Sequence, residues 1–163
     1  MAQSERETLL QILDEAFDRR SWHGTNLKGS IKGLTVDVAA WRPEPGRHNI
    51  WELVVHAAYW KYTVRRRLTG EPRGSFPLKG SNFFPRPDGP ITDAALARDV
   101  RLLIDEHKSL RAAVAGLGNR DLGASVPASK VTYRWLIRGA AAHDLYHAGQ
   151  IQLLKRLCPL GSS

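Results

Sequence analysis

Apolar residues recur at helical spacing along four stretches of the chain. In the first, about residues 4–22, Leu9, Leu10, Ile12, Leu13, Ala16 and Phe17 share one face, and Ser4 followed by Glu7 has the spacing of a capping box. The second begins near Asn49, which repeats the cap spacing with Glu52. It runs to about Leu68, where Gly70 stops it, and Ile50, Leu53, Val54, Ala57, Trp60 and Val64 mark its buried arc. The third opens at Thr92 with a stripe of Leu96, Val100, Leu103, His107, Leu110, Val114 and Leu117, and ends around residues 116–118. The fourth, about residues 130–157, carries Leu136, Ala140, His143, His147, Ile151 and Leu154 over about 40 Å of helix before Pro159 ends it.

The connections differ in character. Residues 24–48 are rich in glycine and polar side chains, with a short helix predicted from Thr35 through the Leu34-to-Trp41 stretch before Pro43, Pro45 and Gly46 break the chain. Residues 71–91 hold Pro72, Pro77, Pro85, Pro87 and Pro90 with Gly74, Gly80 and Gly89 between them, so no regular element is predicted there. A loop of that length covers a functional site or crosses the length of a bundle. Four amphipathic helices without an alternating strand pattern predict an all-α four-helix bundle.

Composition narrows the picture. At 163 residues and 42% apolar, the chain is expected to form a single domain over 1–163. Cys158 is the one cysteine, which excludes a disulfide within the chain. The polar start and the lack of an apolar run of about 18 residues lead to the expectation of a cytoplasmic protein with no membrane association. The net charge of +8 has one compact source, Arg65-Arg66-Arg67, with Lys61 a turn earlier; Arg134, Arg138, Lys155 and Arg156 are dispersed. Solvated helix faces account for such a distribution. Without interleaved aromatic and basic residues, zinc-finger spacing or a helix-turn-helix pattern, specific nucleic-acid binding is not expected.

The candidate chemistry lies in the histidines. His143 and His147, four residues apart in one helix, stack on one face roughly 6 Å apart, close enough to share a metal ion. For a third ligand His56 is the leading candidate and His107 a competitor, both on other apolar stripes. An unpaired buried imidazole is costly, whereas one divalent ion satisfies several at once. Neutral imidazole nitrogens suit zinc, nickel, cobalt or iron(II), and three of them leave a coordination position open for water or substrate. Glu52, one turn before His56, is either an outer partner of that imidazole or proton acceptor, or simply part of the helix cap. Asp144 and Gln150 are further outer partners, although Asp144 is turned about 100° from His143, which directs it toward solvent. Serine, cysteine and nucleotide chemistry lack their motifs.

Several segments together carry a resemblance. They are Asn49-Ile-Trp-Glu-Leu-Val-Val-His56 with Ala58, Tyr59 and Trp60; Arg65-Arg-Arg-Leu68 with Gly70; and His143-Asp-Leu-Tyr-His147-Ala-Gly-Gln150-Ile151, with the lead-in from Leu34-Thr35 through Trp41-Arg42-Pro43 and Pro45-Gly46. In these the chain resembles the DinB/YfiT-like family of four-helix-bundle metalloproteins. The resemblance implies a metal triad of His56, His143 and His147, leaving His107 as core or pocket lining. It also implies an up-down-down-up bundle, for which residues 71–91 supply the long crossover between the second and third helices, and a homodimer. Members of that family include transferases and isomerases that use low-molecular-weight thiols. One expectation is therefore a metal-dependent thiol S-transferase, with Arg65 to Arg67, Lys79 or Arg86 as candidates to receive cofactor carboxylates. The other is a non-catalytic metal-binding stress-response or dimeric interaction protein.

Overall fold

The computed structural model describes residues 3–127 and 129–159. Its helices are α1 (Glu5–Phe17), α2 (Leu27–Ser30), α3 (Val36–Ala40), α4 (Ile50–Thr69), α5 (Asp93–Ala115) and α6 (Tyr133–Leu157), with one 3-10 turn at Asp121–Gly123. Among the described residues there is no strand, only an isolated bridge between Ser125 and Thr132, so the protein is all-α.

Each long helix starts where a side chain satisfies an orphan backbone amide. Ser4 and Glu7 form the full reciprocal box at α1, and Asn49, Thr92 and Thr132 accept from the third residue beyond them at α4, α5 and α6. Helix α4 ends in Gly70 at φ 75°, a left-handed conformation that glycine adopts without a Cβ penalty. Two elements near the start of the chain differ from the sequence expectation. Helix α1 stops at Phe17 because the following Asp18-Arg19-Arg20-Ser21 has nothing apolar to bury, and Trp22 is left fully exposed. Helix α2, unanticipated, turns Leu27 into the core behind an Asn26 cap.

Helix α4 is the most enclosed element: every residue from Ile50 to Ala58 is buried. It packs most extensively on α5 and also on α6, while α1 closes over α6 and α5. One end of the core joins Leu9, Leu13, Val64, Leu110, Leu136 and Ile137; the other joins Phe17, Ile50, Leu53, Leu103, Ala148 and Ile151. Each such buried aliphatic or aromatic side chain contributes roughly 1.5–3 kcal/mol relative to exposure.

The segment between α4 and α5 is held down rather than loose. Phe84 is buried against Trp51, Val55 and Leu96. Arg86, 4% exposed, donates from Nε to Asp99 Oδ2 at 2.7 Å, and Trp51 Nε1 donates to the same oxygen at 2.7 Å. Asn49 Nδ2 donates to the Arg86 carbonyl at 2.7 Å, so the N-terminal end of α4 and the loop are tied together. No helix among the described residues is long and apolar enough to cross a membrane.

Candidate metal centre

His56 comes from the middle of α4 and His143 and His147 from consecutive turns of α6. Small residues on the buried face of α6, Ala140, Ala141 and Ala148, leave room for α4 to approach. His143 Nε2 consequently lies 3.1 Å from His56 Nε2 and 3.0 Å from His147 Nε2. One nitrogen of each ring falls within 4.8 Å of the others. His56 and His147 are buried and His143 is half-buried.

The hydrogen bonds on the far side of each ring determine what faces inward. His56 Nδ1 sits 2.9 Å from the Asn82 backbone carbonyl, which can only accept, so the proton is on Nδ1 and Nε2 presents a bare lone pair. His147 Nδ1 is likewise 2.7 Å from Gln150 Oε1, which leaves its Nε2 bare as well. His143 Nε2 has at most one proton to offer and two lone pairs to meet. Within the triad one such proton can serve only one of the two lone pairs, whereas a cation at the centre would meet all three nitrogens. Tetrahedral coordination at 2.0–2.1 Å separates ligand nitrogens by about 3.3–3.4 Å, close to the separations observed.

Protonation agrees with that arrangement. Burial holds the His56 imidazole at about 4, against the pull of the Asn82 carbonyl, with His147 adding to the depression. Burial, then the neighbouring His147 and His56, holds His143 at about 3. Burial also lowers His147, opposed by Gln150. All three rings are neutral near pH 7, the form that binds metal. The donor set of three neutral imidazoles without a thiolate fits a borderline divalent transition ion.

The triad opens on a cavity of about 850 Å³ whose other walls include Trp60, Phe83, Tyr146, Leu153 and Leu154. Phe83 is stacked between His48 and His56, with ring centroids 3.6 and 4.0 Å away.

Several sequence expectations change here. Asp144 does not face solvent: it is 1% exposed and bound to Lys61 Nζ at 2.5 Å, with its Oδ1 unpartnered among the described residues. Glu52 makes no bond to His56. Arg42 reaches it through both guanidinium nitrogens at 2.9 and 2.5 Å, His48 Nδ1 is 2.8 Å away, and the Arg86 amide donates at 3.2 Å. Nor does its carboxylate close a capping box; Asn49 alone caps α4. Gln150 is an outer partner as expected. His107 lies outside the triad, stacked on Phe17 at 3.7 Å and 3.3 Å from Lys61 Nζ. Arg86 is buried on Asp99, and Arg65 pairs with Glu71 and Glu106. His48, Asn82 and Phe83 escaped the sequence reading; only the four-residue spacing of His48 and Glu52 was a signal.

An all-helical protein with three convergent imidazoles contributed by two of its long helices is thus defined by fold and site together. The family model of the DinB superfamily matches residues 7–151, and the chain belongs to that superfamily. No curated protein and no solved structure matched it.

Proposed function

We propose that His56, His143 and His147 hold one divalent transition ion, zinc, nickel, cobalt or iron(II), and that the protein is a metal-dependent transferase that uses a low-molecular-weight thiol. The observation that carries this reading is the convergence of two bare Nε2 lone pairs on a third imidazole beside an 850 Å³ cavity. A divalent ion there would lower the pKa of a coordinating thiol and so make a nucleophile available at neutral pH. The chain's own residues do the rest. Asn82 and Gln150 hold two of the rings in the required tautomer and orientation. Trp60, Phe83 and the leucines of α6 line the cavity with apolar surface, which suits an apolar electrophile and limits water. In this reading the bundle is a single cytoplasmic domain with up-down-down-up topology, and residues 71–91 are its crossover.

The test is elemental analysis of the protein as isolated against a His56→Ala, His143→Ala, His147→Ala variant; equal metal content would refute the centre. Titration of cobalt-substituted protein with thiols then addresses chemistry, because a visible spectrum indifferent to thiol would end the transferase reading.

A second reading, a non-catalytic metal-binding protein acting as a homodimer, is favoured by one observation: α6 exposes Trp135, Tyr146, Leu153 and Leu157, each more than half accessible. Light scattering on wild type and Leu153→Asp distinguishes them. A dimer lost in the variant supports that surface, and a wild-type monomer removes it.

A further inference from the structure

A second cavity, of about 790 Å³, lies between the C-terminal half of α4 and the first part of the crossover. Four cations line it, Arg66 and Arg67 from α4 and Arg73 and Lys79 from the loop, and no acidic residue does. Arg42 pairs with Glu52, Arg65 with Glu71 and Glu106, and Arg86 with Asp88 and Asp99, while half-buried Arg6 donates to the Leu117 carbonyl. Among the described residues none of the four has a carboxylate within 4.0 Å; half-buried Arg66 donates to the Glu71 backbone carbonyl at 3.3 Å, and Arg67 is half-buried beside it. The C-terminal carbonyls of α4 offset part of the charge of Arg66 and Arg67, and an anion between the four cations would offset the rest.

The walls are aromatic. Tyr59, Trp60, Tyr62 and Phe76 present ring surface to the same space. Gly74 shapes the loop side: at φ 115° its N–H turns to donate to the Tyr62 hydroxyl at 3.1 Å. Forked guanidinium groups match phosphate oxygens bidentately, and flat aromatic walls match a planar ring. The volume falls within the range of small-molecule sites.

We propose that this cavity is a binding site for a phosphate-bearing small molecule with a planar ring, the chemistry of a nucleoside phosphate. Arg66, Arg67, Arg73 and Lys79 receive the phosphates, and Tyr59 or Trp60 receives the ring. The site is distinct from the imidazole centre but shares a wall with it. Trp60 and Asn82 border both cavities, with Trp60 Nε1 donating to Asn82 Oδ1 at 3.0 Å while the Asn82 carbonyl meets His56.

The probe is adenosine diphosphate, titrated by calorimetry and by quenching of tryptophan fluorescence, in chelator-treated buffer so that no metal mediates the contact. Saturable one-to-one binding is expected, with pyrophosphate weaker because it lacks the ring. Arg67→Gln with Arg73→Gln should weaken binding by at least about tenfold, since each lost charge-assisted hydrogen bond is worth at least that factor. Circular dichroism of this variant, and of Lys79→Gln, should match wild type. The triple histidine variant should bind adenosine diphosphate as wild type does, so failure of the metal reading leaves this one standing. No saturation at millimolar ligand, equal binding by the arginine variant, or loss of binding in the histidine variant would overturn the proposal. So would arginine-dependent binding of an oligonucleotide or of phosphatidylserine vesicles in place of the nucleotide.

Discussion

Lys61 and Asp144 form an ion pair at 2.5 Å with side chains 2% and 1% exposed, and it joins the two helices that carry the imidazoles. Lys61 follows His56 by five residues on α4, and Asp144 directly follows His143 on α6. The ammonium also approaches His107 Nδ1 at 3.3 Å and lies 4.8 Å from the Phe17 ring centroid. A charge buried this deeply is tolerable only with its partner present.

Lys61→Met should therefore destabilise the protein by about 3–5 kcal/mol, because Asp144 is left charged or must take a proton in an apolar setting. The double variant Lys61→Met, Asp144→Leu should recover most of that loss. Urea midpoints of the three proteins measure it, and a double variant no more stable than the single one would deny that the pair is coupled.

Metal should stabilise the folded chain. At a free concentration one hundred times the dissociation constant, linkage supplies about 2.7 kcal/mol, seen as a rise in Tm. His147→Ala should abolish the rise. Gln150→Ala should retain binding at an affinity reduced about tenfold or more, as expected when a ligating imidazole loses its outer partner.

Acid should weaken the metal-free protein in two windows. Burial, then the neighbouring Lys61, holds His107 at about 3, below its ordinary 6.5. The unfolded chain thus takes up a proton that the folded chain refuses as pH falls from 6.5, and stability declines through that range by up to about 1.4 kcal/mol per pH unit for each such histidine. His107→Leu should flatten the slope between pH 6.5 and 4 in urea titrations by about that amount for one group. At lower pH Glu52 takes over. Burial opposes its ionisation, yet Arg42, His48 and the Arg86 amide overcome this and hold it at about 2. Its contribution is complete above its ordinary 4.5 and is lost as pH falls from there toward 2, so Glu52→Gln should be less stable at pH 7 but less acid-sensitive below 4.5.

Arg86→Met should release the segment between α4 and α5. The buried Asp99 carboxylate would keep only Trp51 and the distant edge of Arg98, and the cost should be about 3–5 kcal/mol. Limited proteolysis should then cut within residues 71–91 faster than in wild type. Unchanged cleavage would mean that Phe84 and its neighbours hold the segment unaided.

The helices and their starts were readable because period and caps are local properties. Ser4, Asn49 and Thr92 occupy the helix starts that the chain pattern indicated, Thr132 caps α6 slightly beyond its expected start, and most of the four apolar stripes became buried faces, with Ile12 and Trp60 left at the surface. Asn82 and Phe83 were not readable, since residues 71–91 have no repeating period from which to infer direction. Asp144 was misread for a related reason. Its turn of about 100° from His143 indicates solvent only if no third element stands on that side.

The four-residue spacing of His143 and His147 on an uninterrupted helix needed nothing beyond the chain to bring those imidazoles together. His56 led as the third, but removing its competitor His107 needed the packing. His56 and His107 both sit on regular apolar stripes, and periodicity states which residues share a face without stating how a helix is rotated against its neighbours. Packing sets that rotation: α4 turns His56 to within 3.1 Å of His143, while α5 leaves His107 stacked on Phe17. The Lys61–Asp144 pair and the cationic cavity over α4 have the same origin, in side chains apart along the chain that meet only where the helices and the α4–α5 segment close on one another.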